Sequence, residues 1–174
     1  QLKNDFGAAQ ALNNVAAVFE MQKQYDKARE YYWRAIAVHL NNKDTLQAAT
    51  VIINVGNIHY RQNDFDSATW YWQNALLKIP AGKLPHYESI AYNNLAETFT
   101  LDKKYDSAFL MINKAIALRR LTKDYQGLTS SMSNLGRIYA LQKKYALAEK
   151  TYVAALDSAR AKNLKIEESK IHLN

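Results

Sequence analysis

Apolar positions along this chain recur with helical spacing. Leu12, Val15, Ala16 and Phe19 fall at i, i+3, i+4 and i+7, the stripe of an amphipathic helix. The same stripe returns as Ile52, Val55, Gly56 and His59, as Tyr92, Leu95, Ala96 and Phe99, and as Met132, Leu135, Gly136 and Tyr139. A second stripe follows each one: Tyr32, Ala35, Ile36 and Leu40, then Ala68, Trp72, Ala75 and Leu76, then Ala108, Ile112, Ala115 and Ile116, then Ala148, Tyr152, Ala155 and Leu156. Each stretch predicts a pair of helices. In the first they span about 7–22 and 26–41, with a turn around Lys23–Gln24.

The four pairs are in register. Ser133–Leu156, Asn93–Ile116, Ile53–Leu76 and Asn13–Ile36 superimpose at successive shifts of 40 residues without an insertion. A period in this range is the signature of a solenoid, in which each unit buries its apolar face against its neighbours. Small residues at 16, 56, 96 and 136, and at 28, 68, 108 and 148, let paired helices approach closely. The repeats cover approximately 7–41, 47–80, 86–122 and 126–162. Asp64 is placed to cap the second helix of its pair. Pro80 ends that helix, and Ala81–Pro85 is the one break in the pattern and the expected hinge. Asn174 stands in the phase of Asn14, so 165–174 is expected to open a fifth pair. The reading is therefore one all-α solenoid over 1–174, cut from a longer chain.

These positions resemble the tetratricopeptide repeat. The family pattern of Leu-Gly/Ala, aromatic, Ala, aromatic and Ala is matched by Leu135-Gly136, Tyr139, Ala148, Tyr152 and Ala155, and Pro80 stands at the family's closing proline. The early Trp of the family is replaced by Leu12, Ile52, Tyr92 and Met132, and the period is 40 where about 34 is usual. The longer form is similar to that of kinesin light chains, spindle-orientation adaptors and certain bacterial regulators and sensors. The resemblance implies a right-handed α-solenoid of about four hairpins plus part of a fifth, binding a partner protein on its concave, first-helix surface.

Composition narrows the remaining chemistry. There is no cysteine, which excludes disulfides and thiolate sites, and the longest apolar runs fall short of the roughly 20 residues of a membrane span. The four histidines are scattered, with no metalloprotease, phosphate-loop or dinucleotide motif, so neither enzymatic activity nor a metal or cofactor is expected. The net charge of +7 invites a nucleic-acid reading. However, Lys103, Lys104, Lys143 and Lys144 fall where first helices end, which reads as a solvated edge matched to the helix dipole. His59 replaces a core aromatic and reads as a packed, hydrogen-bonded side chain. Nothing in the sequence fixes the compartment. The cytoplasm is favoured, with a periplasmic or exported location left open.

Function is expected on the first helices. Opposite the apolar stripe lie Asn14, Asn54, Asn94 and Asn134, one per repeat. An amide both donates and accepts, so it can hold the backbone of an extended peptide, or it can bond between neighbouring repeats. Asn57, Glu97 and Arg137, Tyr60 and Arg61, and Asn93 complete the candidate peptide-binding set. The Lys–Asn–Lys–Arg carboxylate clamp of the family is not reproduced, because Asn13, Ile53, Asn93 and Ser133 occupy its lysine positions. Tyr31, Trp33, Trp70 and Tyr71 lie off the core stripe. The leading reading is a module that binds an extended peptide. The alternatives are a sensory or regulatory segment of a larger signalling or transcription protein, and a scaffold that self-associates through uncapped ends.

Overall fold

In the computed structural model, the backbone is described for residues 2–171 and the side chains for residues 7–160. The described residues form eight helices and no strand: α1 (Leu2–Met21), α2 (Tyr25–Asn41), α3 (Thr45–Arg61), α4 (Phe65–Lys78), α5 (Pro85–Leu101), α6 (Tyr105–Leu121), α7 (Tyr125–Leu141) and α8 (Tyr145–Ile171). The all-α expectation is met. The chain divides into two compact units, Gln1–Tyr87 and Glu88–Asn174. In the first unit α2 packs on α1 and α3, and α3 packs on α4. In the second, α7 packs on α6 and α8. Ala96 of α5, Ile112 and Ile116 of α6, Met132 and Ile138 of α7 and Ala155 of α8 join one apolar cluster there.

Six of the connections are one and the same turn. Lys23, Lys43, Asn63, Lys103, Lys123 and Lys143 each adopt a left-handed φ between 55° and 62°. Each of these amides donates to the carbonyl three residues back and the next amide to the one five residues back, as in Lys23 N to Glu20 O and Gln24 N to Phe19 O, both 2.9 Å. This pair of hydrogen bonds satisfies carbonyls that the helix end would otherwise orphan. The residue that completes the turn also starts the next helix. Where it is Asp it caps through its side chain: Asp44 accepts from Gln47 N at 3.1 Å, Asp64 from Ser67 N at 3.2 Å and Asp124 from Gly127 N at 2.9 Å. Helices of 17 residues with three-residue turns give a rhythm of 20, two of which make the sequence period. The lysines need a finer reading than one dipole-matched edge. Lys103 lies just past the end of α5, but Lys104 is the N-cap of α6, where a cation is unfavourable.

The seventh connection departs from this rhythm, as the prolines foretell. Helix α4 stops at Lys78, and Ile79 is extended (φ −98°, ψ 115°), the conformation a following proline favours. Gly82 supplies a left-handed φ of 74°, and Pro85 opens α5, where its missing N–H costs nothing.

The small residues close the hairpins as expected. Ala16, Ala28, Ala68, Ala96 and Ala108 are fully or almost fully buried. A Cβ on Gly56 would lie 2.6 Å from the Trp72 indole, which is buried and donates to the Ile53 carbonyl at 3.2 Å. Some core assignments differ. Leu40 is 48% exposed while His39 is 5% exposed, because α2 turns His39 towards α3, with Nδ1 3.9 Å from Asp44 Oδ2. Val15, Tyr152 and Leu156 are also exposed, whereas their counterparts Val55, Ile112 and Ile116 are buried, the two isoleucines in the cluster shared with α7. Positions expected to open a fifth hairpin lie on α8, which runs unbroken to Ile171; residues 172–174 fall outside the described ones.

Candidate functional site

In the first unit the candidates split between surface and packing. Asn14 is exposed and accepts from Gln10 Nε2 at 3.2 Å. Asn54, one hairpin on, is half-buried and donates to Asn13 Oδ1 at 3.3 Å. Asn57 accepts the Trp72 indole N–H at 3.1 Å, and Tyr60 packs against Phe65 and Trp72 with ring centroids at 5.4 and 5.8 Å. These two serve the inside of their hairpin. Arg61 reaches back to Glu20, Nε to Oε1 at 3.0 Å. The other Glu20 oxygen accepts from the Tyr32 hydroxyl at 2.9 Å. Burial first, and then the Glu20 carboxylate, push the Tyr32 pKa well up, so the phenol stays protonated as a donor.

The second unit repeats the arrangement with deeper burial. Asn134 Nδ2 donates to Asn93 Oδ1 at 3.2 Å, and the buried Ser131 hydroxyl donates to the same oxygen at 2.9 Å. Arg119, itself buried, donates through Nη1 to Ser131 Oγ at 2.6 Å and to the Gly127 carbonyl. Burial lowers the Arg119 pKa, and Asp124, whose Oδ2 lies 4.0 Å from Nε, opposes that shift. A Cβ on Gly127 would sit 2.1 Å from Asp124 Oδ2 and 2.8 Å from Arg119 Nε, so only glycine admits this approach. Arg137 Nη2 bonds Glu97 Oε1 at 3.2 Å, both side chains half-buried, and Asn94 is half-buried between these features in sequence.

A rule missed in the sequence emerges from the partners. Asn54 with Asn13, Asn134 with Asn93 and Arg61 with Glu20 are each 41 residues apart, and Arg137 with Glu97 is 40 apart. Adjacent first helices meet at one period or one period plus one residue. Complementary side chains at that spacing were the available signal, and Asn13 and Glu20 would have been found by it.

The histidines and aromatics are local. His59 stacks on Tyr71 with centroids at 5.0 Å, and its Nδ1 is 2.9 Å from Asp64 Oδ2, as its packed reading requires. Exposed Trp33 and Trp70 each pack edge-on to Tyr71, and Tyr31 stacks on Phe19. Among the described residues, no group of three His, Asp or Glu could hold a metal ion, and no helix is long and apolar enough to cross a membrane.

Repeated two-helix hairpins presenting polar first-helix faces define a helical-repeat scaffold. A family model described as "Tetratricopeptide repeat" matches residues 7–69 and 87–161, and the chain belongs to that family. Its repeats generally mediate protein–protein interaction, and it is a family of non-enzymatic scaffolds. The solved structures of similar fold include BtubC (BKLC) from P. vanneervenii, with a TM-score of 0.77, 23% identity and coverage of 89% of this chain and 64% of that one. They also include the N-terminal domain of stress-induced protein-1 from C. elegans, at 0.57 and 25%, covering 74% and 97%. In sequence, stress-induced-phosphoprotein 1 of Caenorhabditis elegans is 27% identical over 65% of this chain. The general transcriptional corepressor trfA of Dictyostelium discoideum is 26% identical over 62%. The chain spans 34% of the nematode protein's length and 8% of the corepressor's.

Proposed function

We propose that the chain binds an extended segment of a partner protein on the first-helix faces of its hairpins. The observation that carries this reading is the in-phase recurrence of an amide at 14, 54, 94 and 134, with every one of the four side chains at least partly open to solvent. Asn54 and Asn134 give one amide hydrogen to the neighbouring hairpin, which orients the remaining donor and acceptor groups. The pairs Arg61–Glu20 and Arg137–Glu97 supply charge along the same faces. An amide array of this kind grips peptide backbone with little regard to sequence, and the flanking charges select among partners.

The two roles of the asparagines separate by experiment. Peptides recovered from a random-sequence display on the intact protein are titrated against the double variant Asn14→Ala with Asn94→Ala. The affinity falls by about tenfold or more, the loss of one to two well-placed hydrogen bonds, with the helical circular dichroism unchanged. Equal affinity for every recovered peptide, with equal circular dichroism, refutes the amide role.

A further inference from the structure

The second unit carries an edge cleft at a place that an arginine bridges in the first unit. Asp106, Phe109, Tyr139, Gln142, Lys144 and Leu147 line a volume of about 520 Å³ where the start of α6 meets the α7–α8 turn. An adjoining volume of about 460 Å³ shares Asp106 and Gln142 and is walled by Lys103 and Lys104. Phe109 and Leu147 are 39% and 47% exposed, and Phe109 stands edge-on to Tyr139 with centroids at 5.7 Å.

The counterpart in the first unit is bridged. Eighty residues earlier, Asp26, Arg29 and Gln62 stand where Asp106, Phe109 and Gln142 stand here. Arg29 pairs with Asp26 and donates to Gln62 Oε1 at 2.8 Å, bridging the two turns. Asp64 and Ser67 replace Lys144 and Leu147, and Asp64 is held by His59. The second unit has exchanged a bridging arginine for an apolar ring and a carboxylate for a lysine. Phe109, Tyr139 and Leu147 thus form one contiguous, partly exposed apolar patch in a concave site, as interaction sites do.

We propose that this cleft takes one apolar side chain from an acidic segment of a partner protein. The ring of Phe109, the Tyr139 ring and Leu147 receive the apolar group, and Lys103, Lys104 and Lys144 on the rim attract its acidic neighbours. Charge complementarity of this kind sets the rate and register of encounter while the apolar anchor supplies affinity. Asp102, 3.0 Å from the Lys104 ammonium, offsets part of that charge, so Lys103 and Lys144 supply most of the attraction. None of the four in-phase asparagines lines it.

The test uses the whole chain against an arrayed library of random-sequence peptides, in wild-type form and as Phe109→Arg, Leu147→Ser and Lys144→Asp. Phe109→Arg restores the bridge of the first unit, so it folds at least as well as wild type; Leu147→Ser keeps the test valid if it does not. The peptides lost by the variants are net acidic with an aliphatic or aromatic residue, and their affinities in titration fall by about tenfold or more. The Asn14→Ala with Asn94→Ala variant retains them. The proposal is overturned if wild type binds no such peptides, if the variants keep them all, if the lost set is basic or unbiased, or if a single-stranded oligonucleotide displaces them.

Discussion

In the first unit Arg29 lies between Asp26 and Gln62 and ties two turns together. In the second, Phe109 occupies the same place beside Asp106 and Gln142, and the edge stays open. A similar contrast holds inside the hairpins. Trp72 is fully buried over Gly56, whereas its counterpart Tyr152 is 40% exposed over Gly136. The turns, the small residues and the inter-hairpin asparagine pairs are common to both units. What varies is a handful of side chains set on that frame. The frame therefore explains the architecture, and the exceptions to it carry the chemistry.

That contrast can be pressed in order of expected effect. Trp72→Ala should destabilise the first unit by about 3–5 kcal/mol, and Tyr152→Ala the second by much less, as read by urea denaturation; equal losses would erase the difference between the two hairpins. Next, Gly56→Ala should cost about 1–3 kcal/mol because the buried indole has nowhere to go. Gly136→Ala should be near neutral, since an exposed tyrosine ring can swing aside and alanine favours helix. Smaller still, Lys143→Gly should stabilise by up to about 1 kcal/mol by relieving a left-handed lysine. Asn63→Gly should gain less, because asparagine tolerates that conformation.

The smallest effect concerns pH. Asp64 caps α4, and its carboxyl is held below its usual value of 3.8 by the hydrogen bond with the Ser67 side chain, then by His59 and the Ser67 amide. A carboxyl depressed in the folded state adds stability that is complete above its unfolded value and lost as pH falls through the folded one. The stability difference between wild type and Asp64→Ala should thus stay flat from neutral pH to about 4 and shrink below it. Lys144→Ala at the matching place should show no such acid-range change.

Much of this frame is legible in the chain. The helical stripes, the two prolines and the alanine columns mark where the helices fall, and α2 begins at Tyr25, within a residue or so of its expected start. By contrast, α1 begins at Leu2, ahead of the expected 7, and α8 runs through the place expected to open a fifth pair. What local pattern cannot reveal is what lies across a neighbouring helix. Leu40 and His39 differ by one position on α2, and only the direction of α3 decides which is covered. Lys103 and Lys143 read as surface charge because nothing in a lysine announces the left-handed backbone that they share with Lys23, Lys43 and Lys123. The asparagine column reads equally well as ligand site or as repeat-to-repeat bond. Asn54 and Asn134 take up the second role in part, and Asn14 remains at the surface. The edge cleft was invisible because it depends on Phe109 failing to do what Arg29 does, a comparison that requires the folded form of both units.

One double-mutant cycle tests most directly whether, on two copies of one frame, it is Phe109 in place of an arginine that leaves this edge unbridged. Chemical denaturation is measured for wild type, Phe109→Arg, Gln142→Ala and the combination of both. If the frames match, the introduced arginine bridges to Gln142 as Arg29 does to Gln62, with a coupling of about 0.5–1.5 kcal/mol. Additive effects with no coupling would mean that the two edges are not equivalent, contradicting the account.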